Sequence, residues 1–147
     1  MASAKRRADA VWDGDLLTGT GTVNATTSGA FTSLPVSWDS RTEVPDGRTS
    51  PEELVAAAHA SCYCMALSAG LGRAGTPPSW LEVSATVTFQ QIEGGWKVAS
   101  SALTVKGEVA GITAEAFAEA AEAAKDGCPI SGALKGNVDL SVEATLA

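Results

Sequence analysis

Thiols carry the reactive potential of this chain, and two of the three sit in distinctive settings. Cys62 lies in His59-Ala60-Ser61-Cys62-Tyr63-Cys64-Met65, deep in a nearly uncharged stretch, and Cys128 opens Cys128-Pro129-Ile130-Ser131. The reactive form of either is the thiolate. A thiol with its ordinary pKa is only about 3% ionised at neutral pH, and tuning it to about 6 raises that fraction roughly thirtyfold. Proline after Cys128 marks a first helical position. Cys128 then takes the cap, where backbone N–H groups and the helix dipole favour an anion. Cys62 has no such help within its own turn. His59, three residues earlier, can lie beside it, and any other cation has to arrive from elsewhere in the fold. By local physics Cys128 is the more ionisable of the two. A soft metal held by His59, Cys62, Cys64 and Cys128 is disfavoured, because residues two apart on a helix point about 200° apart. No metal or other cofactor is expected.

Other polar residues have plain structural explanations. Cys64 reads as a small packing residue in an alanine-rich helix, and His59 as a core histidine whose partner lies elsewhere in the chain. Helix capping accounts for Glu52 and Glu53, and a solvated loop accounts for Arg41 and Arg48.

The elements that must position the thiols follow from patterning. Residues 8–12 and 19–26, joined by Asp13-Gly14-Asp15, read as a hairpin, and residues 34–37 as a third extended piece. Residues 38–49, with Pro45, Asp46-Gly47, Arg41 and Arg48, read as an exposed loop. Ser50-Pro51-Glu52-Glu53 then combines a capping hydroxyl, proline at the first helical position and acids at the positive helix end. From Leu54 to Leu71 the only ionisable groups besides thiols and Tyr63 belong to His59. Leu54, Ala58, Cys62, Met65 and Ala69 fall on one stripe, and the helix is expected to be buried on most sides. Its Ala, Ser and Gly content favours a core helix over a membrane span, ended by Gly70, Gly72 and Gly75-Thr76-Pro77-Pro78. Residues 81–91 and 96–109 alternate about Gly94-Gly95 as a second hairpin. Thr113 caps a helix running to about 127, a helical turn follows Cys128-Pro129, and residues 138–144 form a last strand. The expectation is an α+β fold of order βββ-α-ββ-α-β. Antiparallel sheets surround a long buried central helix, in one domain spanning 1–147.

Composition removes several alternatives. A chain of 147 residues buries a core without disulfides or a structural metal. With a formal net charge of −7 and one basic cluster, Lys5-Arg6-Arg7, it is a poor match for nucleic acid or an anionic membrane surface. That cluster is followed by Asp9, Trp12 and Asp13 instead of an apolar stretch, so a signal peptide is not expected. Three cysteines make no disulfide framework, which points to a reducing, cytoplasmic setting.

The run Ser50-Pro51-Glu52-Glu53-Leu54-Val55-Ala56-Ala57-Ala58-His59-Ala60-Ser61-Cys62, together with Gly127-Cys128-Pro129-Ile130-Ser131, resembles the OsmC/Ohr family of thiol peroxidases. The resemblance reaches both ends of the chain. Trp12-Asp13-Gly14-Asp15 and residues 19–23 look like the first hairpin of the OsmC branch, and Trp38-Asp39-Ser40-Arg41 like the loop with its active-site arginine. The histidine before Cys62 also favours the OsmC branch. The resemblance implies that Cys62 is the peroxidatic thiolate, Cys128 the resolving thiol, Arg41 the stabilising cation and Glu52 the carboxylate that orients it, with Arg48 a rival to Arg41. It implies an organic hydroperoxide substrate preferred over hydrogen peroxide. An external dithiol, lipoyl, thioredoxin-like or small, is the implied reductant, and an interwoven homodimer the implied assembly. Glu52 and Cys62, ten residues apart on one helix, are separated by roughly 15 Å along its axis. A single arginine does not bridge them easily, so Glu52, with Arg41, is expected to act on Cys62 of the partner subunit. A competing class is a non-catalytic binding module with an apolar ligand pocket and incidental thiols.

Overall fold

The computed structural model describes residues 2–147 and resolves into two compact units, Met1–Pro51 and Glu52–Ala147. In the first unit, strands β1 (Asp9–Asp13), β2 (Thr20–Asn24) and β3 (Leu34–Val36) form an antiparallel sheet in that order. The β1–β2 turn is built on Asp15, whose carboxylate accepts from the Thr18 amide and hydroxyl, both at 2.8 Å. Gly19 is required there, because a Cβ would lie 2.3 Å from the Asp15 carbonyl oxygen.

The stretch expected as an exposed loop instead starts with a short helix, α1 (Trp38–Thr42). The cause is reciprocal capping: Ser37 Oγ accepts from the Ser40 amide at 3.1 Å, and Ser40 Oγ accepts from the Ser37 amide at 3.0 Å. The breakers Pro45 and Asp46-Gly47 act only after the helix has ended, and Asp46 and Gly47 both take positive φ. Ser40 is buried as a result.

The second unit is built on helix α2 (Pro51–Arg73), which begins where the Ser-Pro-Glu-Glu signature places it. It runs through Gly70 and Gly72 and stops at Gly75, whose φ of 84° lets Thr76 N–H reach back to the Leu71 carbonyl. Strands β4 (Pro78–Ile92) and β5 (Gly95–Val109) pair as a long antiparallel hairpin. Helices α3 (Ala114–Gly127) and α4 (Pro129–Leu134) follow, then β6 (Asp139–Leu146). The side chain of Thr113 caps α3 by accepting from the Ala116 amide.

One pairing departs from the all-antiparallel expectation, since β6 runs parallel to β5, from Ser100↔Asp139 to Gly107↔Leu146. The two helices between them form the long crossover that parallel neighbours require. Sequence alternation cannot separate the two cases, because both bury every second residue.

The core of this unit lies between one face of the sheet and the helices. Leu103, Val105 and Val109 of β5 meet Tyr63, Leu67 and Leu71 of α2 and Phe117, Ala121 and Ala124 of α3. Burying such side chains contributes roughly 1.5–3 kcal/mol each. Gly107 permits this closeness: a Cβ there would lie 2.6 Å from Leu81 Cδ2 and 3.1 Å from Phe117 Cζ.

Helix α2 is less enclosed than its sequence suggests. Its buried residues Glu52, His59, Tyr63, Leu67 and Leu71 include an i, i+4 series along one face. The stripe expected to face inward lies to the side, with Cys62 half-buried and Ala58, Met65 and Ala69 exposed. Met65 is 72% exposed. The tyrosine and histidine, counted as the polar exceptions, are the inward residues, because each has hydrogen-bond partners inside. By length and hydropathy α2 is also sufficient to cross a membrane, but its His59–Leu71 face belongs to a protein core.

Candidate active site

Cys62, in the middle of α2, and Cys128, in the joint between α3 and α4, meet with their sulfurs 3.0 Å apart. Each position has a local cause. Helix α3 carries Cys128 N–H onto the Ala124 carbonyl at 2.9 Å, and Pro129 then opens a new helix at a residue with no N–H to lose. Opposite, the Tyr63 hydroxyl donates to the Ala121 carbonyl at 2.8 Å and locks α2 against α3 one residue from Cys62. Both thiols, like Cys64, are free.

The two sulfurs are electrostatically unequal. Burial pushes the Cys62 thiol up, the bond to Cys128 and its negative charge push it further, and the Ile130 amide opposes them without prevailing. At Cys128 burial also acts upward, but it is outweighed by donation from Cys62, the amide and hydroxyl of Ser131 and the amide of Ile130. Of the two sulfurs, Cys62 holds its proton the more tightly. The sequence-based ranking of Cys128 as the more ionisable thiol agrees in direction, but the neighbouring Cys62 thiol is the largest lowering influence, ahead of the backbone amides. No side-chain cap bond is made by the Cys128 sulfur.

Access divides them in the opposite sense. Cys128 is 1% exposed, whereas Cys62 lines a groove of about 640 Å³ between α2 and α3, walled mainly by Met65, Ala66, Ala69, Ala120 and Ala123. A molecule entering this groove reaches Cys62 first. Cys64 lies two residues on and borders a separate groove with Met65, Pro78 and Trp80. Burial raises its pKa, so nothing local activates it.

His59 is fully buried and bonded at both ring nitrogens, Nδ1 to Ser101 Oγ at 2.7 Å and Nε2 to Ser131 Oγ at 2.8 Å. Burial lowers its pKa, so the ring is neutral and supplies no cation to Cys62. This is the satisfied core histidine expected from the sequence, with its partners now identified. Ser101 had been given no role, and its signal was a polar residue at an inward position of an alternating strand. Ser131 was visible in the cysteine motif, but its contact with a residue 72 positions away was not.

Glu52 is 6% exposed at the start of α2. In the first unit, Arg41 holds its guanidinium 5.9 Å from the Trp38 ring centroid and lines an apolar pocket of about 330 Å³ with Trp12, Leu16, Val36 and Pro51. Arg48 borders a more polar depression and pairs loosely with Asp46 at 3.7 Å. Among the described residues no three His, Cys, Asp or Glu side chains gather as a metal site.

The arrangement is thus a half-buried thiol lining an apolar groove, 3.0 Å from a buried one. The chain belongs to the OsmC family: residues 44–143 match the family model described as OsmC-like protein. It is 38% identical over 138 residues to peroxiredoxin OsmC of Escherichia coli K12, covering 94% of this chain and 95% of that protein. The match to peroxiredoxin OsmC of Shigella flexneri has the same extent. Among solved structures, the organic hydroperoxide resistance protein OhrB of Bacillus subtilis superposes with a TM-score of 0.69 at 25% identity, covering 95% of this chain and 98% of that one. An OsmC-like protein from Mycoplasma pneumoniae shares the fold with a TM-score of 0.74 at 14% identity, over 99% of each chain. The enzyme class is that of a cysteine-based peroxidase.

His59 is the only histidine, which isolates its effect on stability. Its folded pKa lies below the ordinary 6.5, so as pH falls through about 6.5 the unfolded chain gains a proton that the folded chain refuses. Urea denaturation midpoints should therefore drop between pH 7 and pH 5, and a His59→Gln variant, less stable at pH 7, should lose less over that interval. Equal losses in the two proteins would refute a buried neutral imidazole.

Proposed function

We propose that this chain reduces organic hydroperoxides to alcohols, with Cys62 as the peroxidatic and Cys128 as the resolving thiol. The observation that carries the reading is the 3.0 Å approach of a groove-lining sulfur to a buried one. Thiolate Cys62 attacks the distal peroxide oxygen. The O–O bond breaks, the alkoxide leaves and takes a proton, and Cys62 becomes a sulfenic acid. Cys128 then attacks the sulfenic sulfur, forming the disulfide and releasing water once the proton lost by Cys128 is returned. An external dithiol restores both thiols. The apolar walls of the groove favour an alkyl hydroperoxide over hydrogen peroxide, and a reducing compartment such as the cytoplasm suits the thiol cycle.

In this reading Arg41 supplies the positive charge that Cys62 lacks, and Glu52 orients it. A raised pKa at Cys62 requires a cation before attack, and the same cation stabilises the departing alkoxide. We propose further that the single domain acts as a two-fold homodimer through the exposed side of α2, where Ala57, Ala58, Ser61 and Met65 present small or flexible groups. Arg41 and Glu52 then serve Cys62 of the partner subunit.

A few equivalents of an alkyl hydroperoxide should reduce the titratable thiols from three to one, joining Cys62 to Cys128. Cys62→Ser should consume no peroxide. Slow, equal loss of all three thiols would instead favour a binding module. Arg41→Ala should lower kcat/KM by about 100-fold or more, the usual loss when one charge-stabilising group is removed, while Arg48→Ala stays within about twofold of the parent; the reverse pattern would transfer the role to Arg48. For the dimer, sedimentation of Met65→Lys should shift the population toward the single chain, and an unchanged dimer would exclude this face.

A further inference from the structure

The groove that leads to Cys62 has one charged side chain in its lining, and the proposed reaction gives it no task. Cys62, Ala66, Ala69 and Arg73 stand at i, i+4, i+7 and i+11 of α2, so they share one stripe of the helix, and all four line the groove. The wall that α3 contributes is alanine and glycine. Arg73 is exposed in the last turn of α2. Its guanidinium folds back along the helix: a Cβ at Gly70 would lie 3.9 Å from Arg73 Nη2. Among the described residues no carboxylate is paired with it.

A cation in the last turn of a helix has a plain explanation in the helix dipole. The dipole does not account for a groove that runs from that cation to a thiol and is apolar in between. Eight residues separate Cys62 from Gly70, which puts the guanidinium roughly 12 Å from the thiol along the axis. An extended chain advances roughly 1.2 Å per bond, so about eight to ten carbons reach from one end to the other. The guanidinium presents a planar pair of donors suited to a carboxylate. A protein of formal net charge −7 repels anions in general, so an anionic substrate needs a local cation of this kind.

We propose that Arg73 is a specificity-determining residue: it pairs with the carboxylate of a hydroperoxide whose alkyl chain fills the groove and whose peroxide, about eight to ten carbons away, meets Cys62. The inference deepens the reading of Cys62 as the peroxidatic thiol by naming a substrate class, and it rests on that reading for the chemistry. Short neutral hydroperoxides reach Cys62 without touching Arg73. The residue therefore selects among substrates and leaves the step at sulfur unchanged. Because the pair forms at the exposed end of the groove, where water screens it, its effect is on the order of fivefold.

Turnover of 10-hydroperoxydecanoate and of its methyl ester tests the selection. In the parent, KM should be about fivefold lower for the acid at similar kcat. Arg73→Gln should bring the acid to the KM of the ester, Arg73→Lys should keep part of the difference, and turnover of tert-butyl hydroperoxide should be equal in all three. A role confined to the helix dipole predicts instead a less stable Arg73→Gln protein whose preference for the acid is intact. Binding is read without turnover from alkylation of Cys62 by iodoacetamide, followed by peptide mass. Octanoate should protect Cys62 at about fivefold lower concentration than octan-1-ol in the parent, and the two should protect alike in Arg73→Gln. Equal protection in the parent, or a preference for octanoate that survives in Arg73→Gln, would overturn the proposal. Failure to reduce tert-butyl hydroperoxide would overturn the peroxidatic reading of Cys62 and leave the protection result as it stands.

Discussion

An approach of 3.0 Å between the sulfurs of Cys62 and Cys128 is the constraint on which the rest of this structure depends. It is about 1 Å longer than a disulfide bond, so bond formation asks for a small movement rather than a rearrangement. Holding two side chains from separate helices that close demands rigid support on both sides. Tyr63 supplies it on α2, bonded to the Ala121 carbonyl and surrounded by Leu67, Leu71, Phe117 and Leu103. His59 supplies it on the α4 side through Ser131. Each hydrogen bond contributes only about 1 kcal/mol net, but loosening either one lets the sulfurs drift within a packed core that has few alternative positions.

The two thiols divide accessibility and ionisation between them. Cys128 has the donors and is buried, while Cys62 is reachable and has its pKa raised. A peroxidatic sulfur needs both properties, so the reachable one must acquire charge stabilisation from outside its own helix. In the proposed reaction the buried one needs only to be ionised when a sulfenic acid forms beside it, and the influences that lower its pKa are already in place. The roughly thirtyfold gain from ionisation is small next to the effect of a charge placed at the departing oxygen. Arg41 thus matters twice in the proposed reaction, whereas the donors around Cys128 matter once.

Much of this was legible in the sequence because its causes are local. Ser50-Pro51 set the start of α2, Thr113 capped α3, and Pro129 after Cys128 marked both a helix start and an electropositive cap. The hairpin of β4 and β5 followed from alternation on either side of the Gly94-Gly95 turn. What escaped notice depends on partners distant in the chain. The parallel placement of β6 is decided by the crossover through α3 and α4, and Ser101 gains its meaning only from a histidine 42 residues away. Helix α1 is a different kind of omission, since its capping pair Ser37 and Ser40 was present in the sequence but lay just ahead of conspicuous breakers.

The least expected feature is the exposed side of α2, and it has the same cause as the unmet demand at Cys62. A helix whose sequence is almost free of charge is nonetheless buried on one face only, with Met65 largely in solvent. The Cys62 sulfur lies at the border between the two faces and is short of a positive charge. Covering such a side with a second copy would remove apolar surface from water, contributing about 25 cal/mol for each Å², and would lower the local dielectric in which a cation acts on sulfur. Association and activation would then be one event: the interface that hides Met65 would also strengthen the charge Cys62 requires.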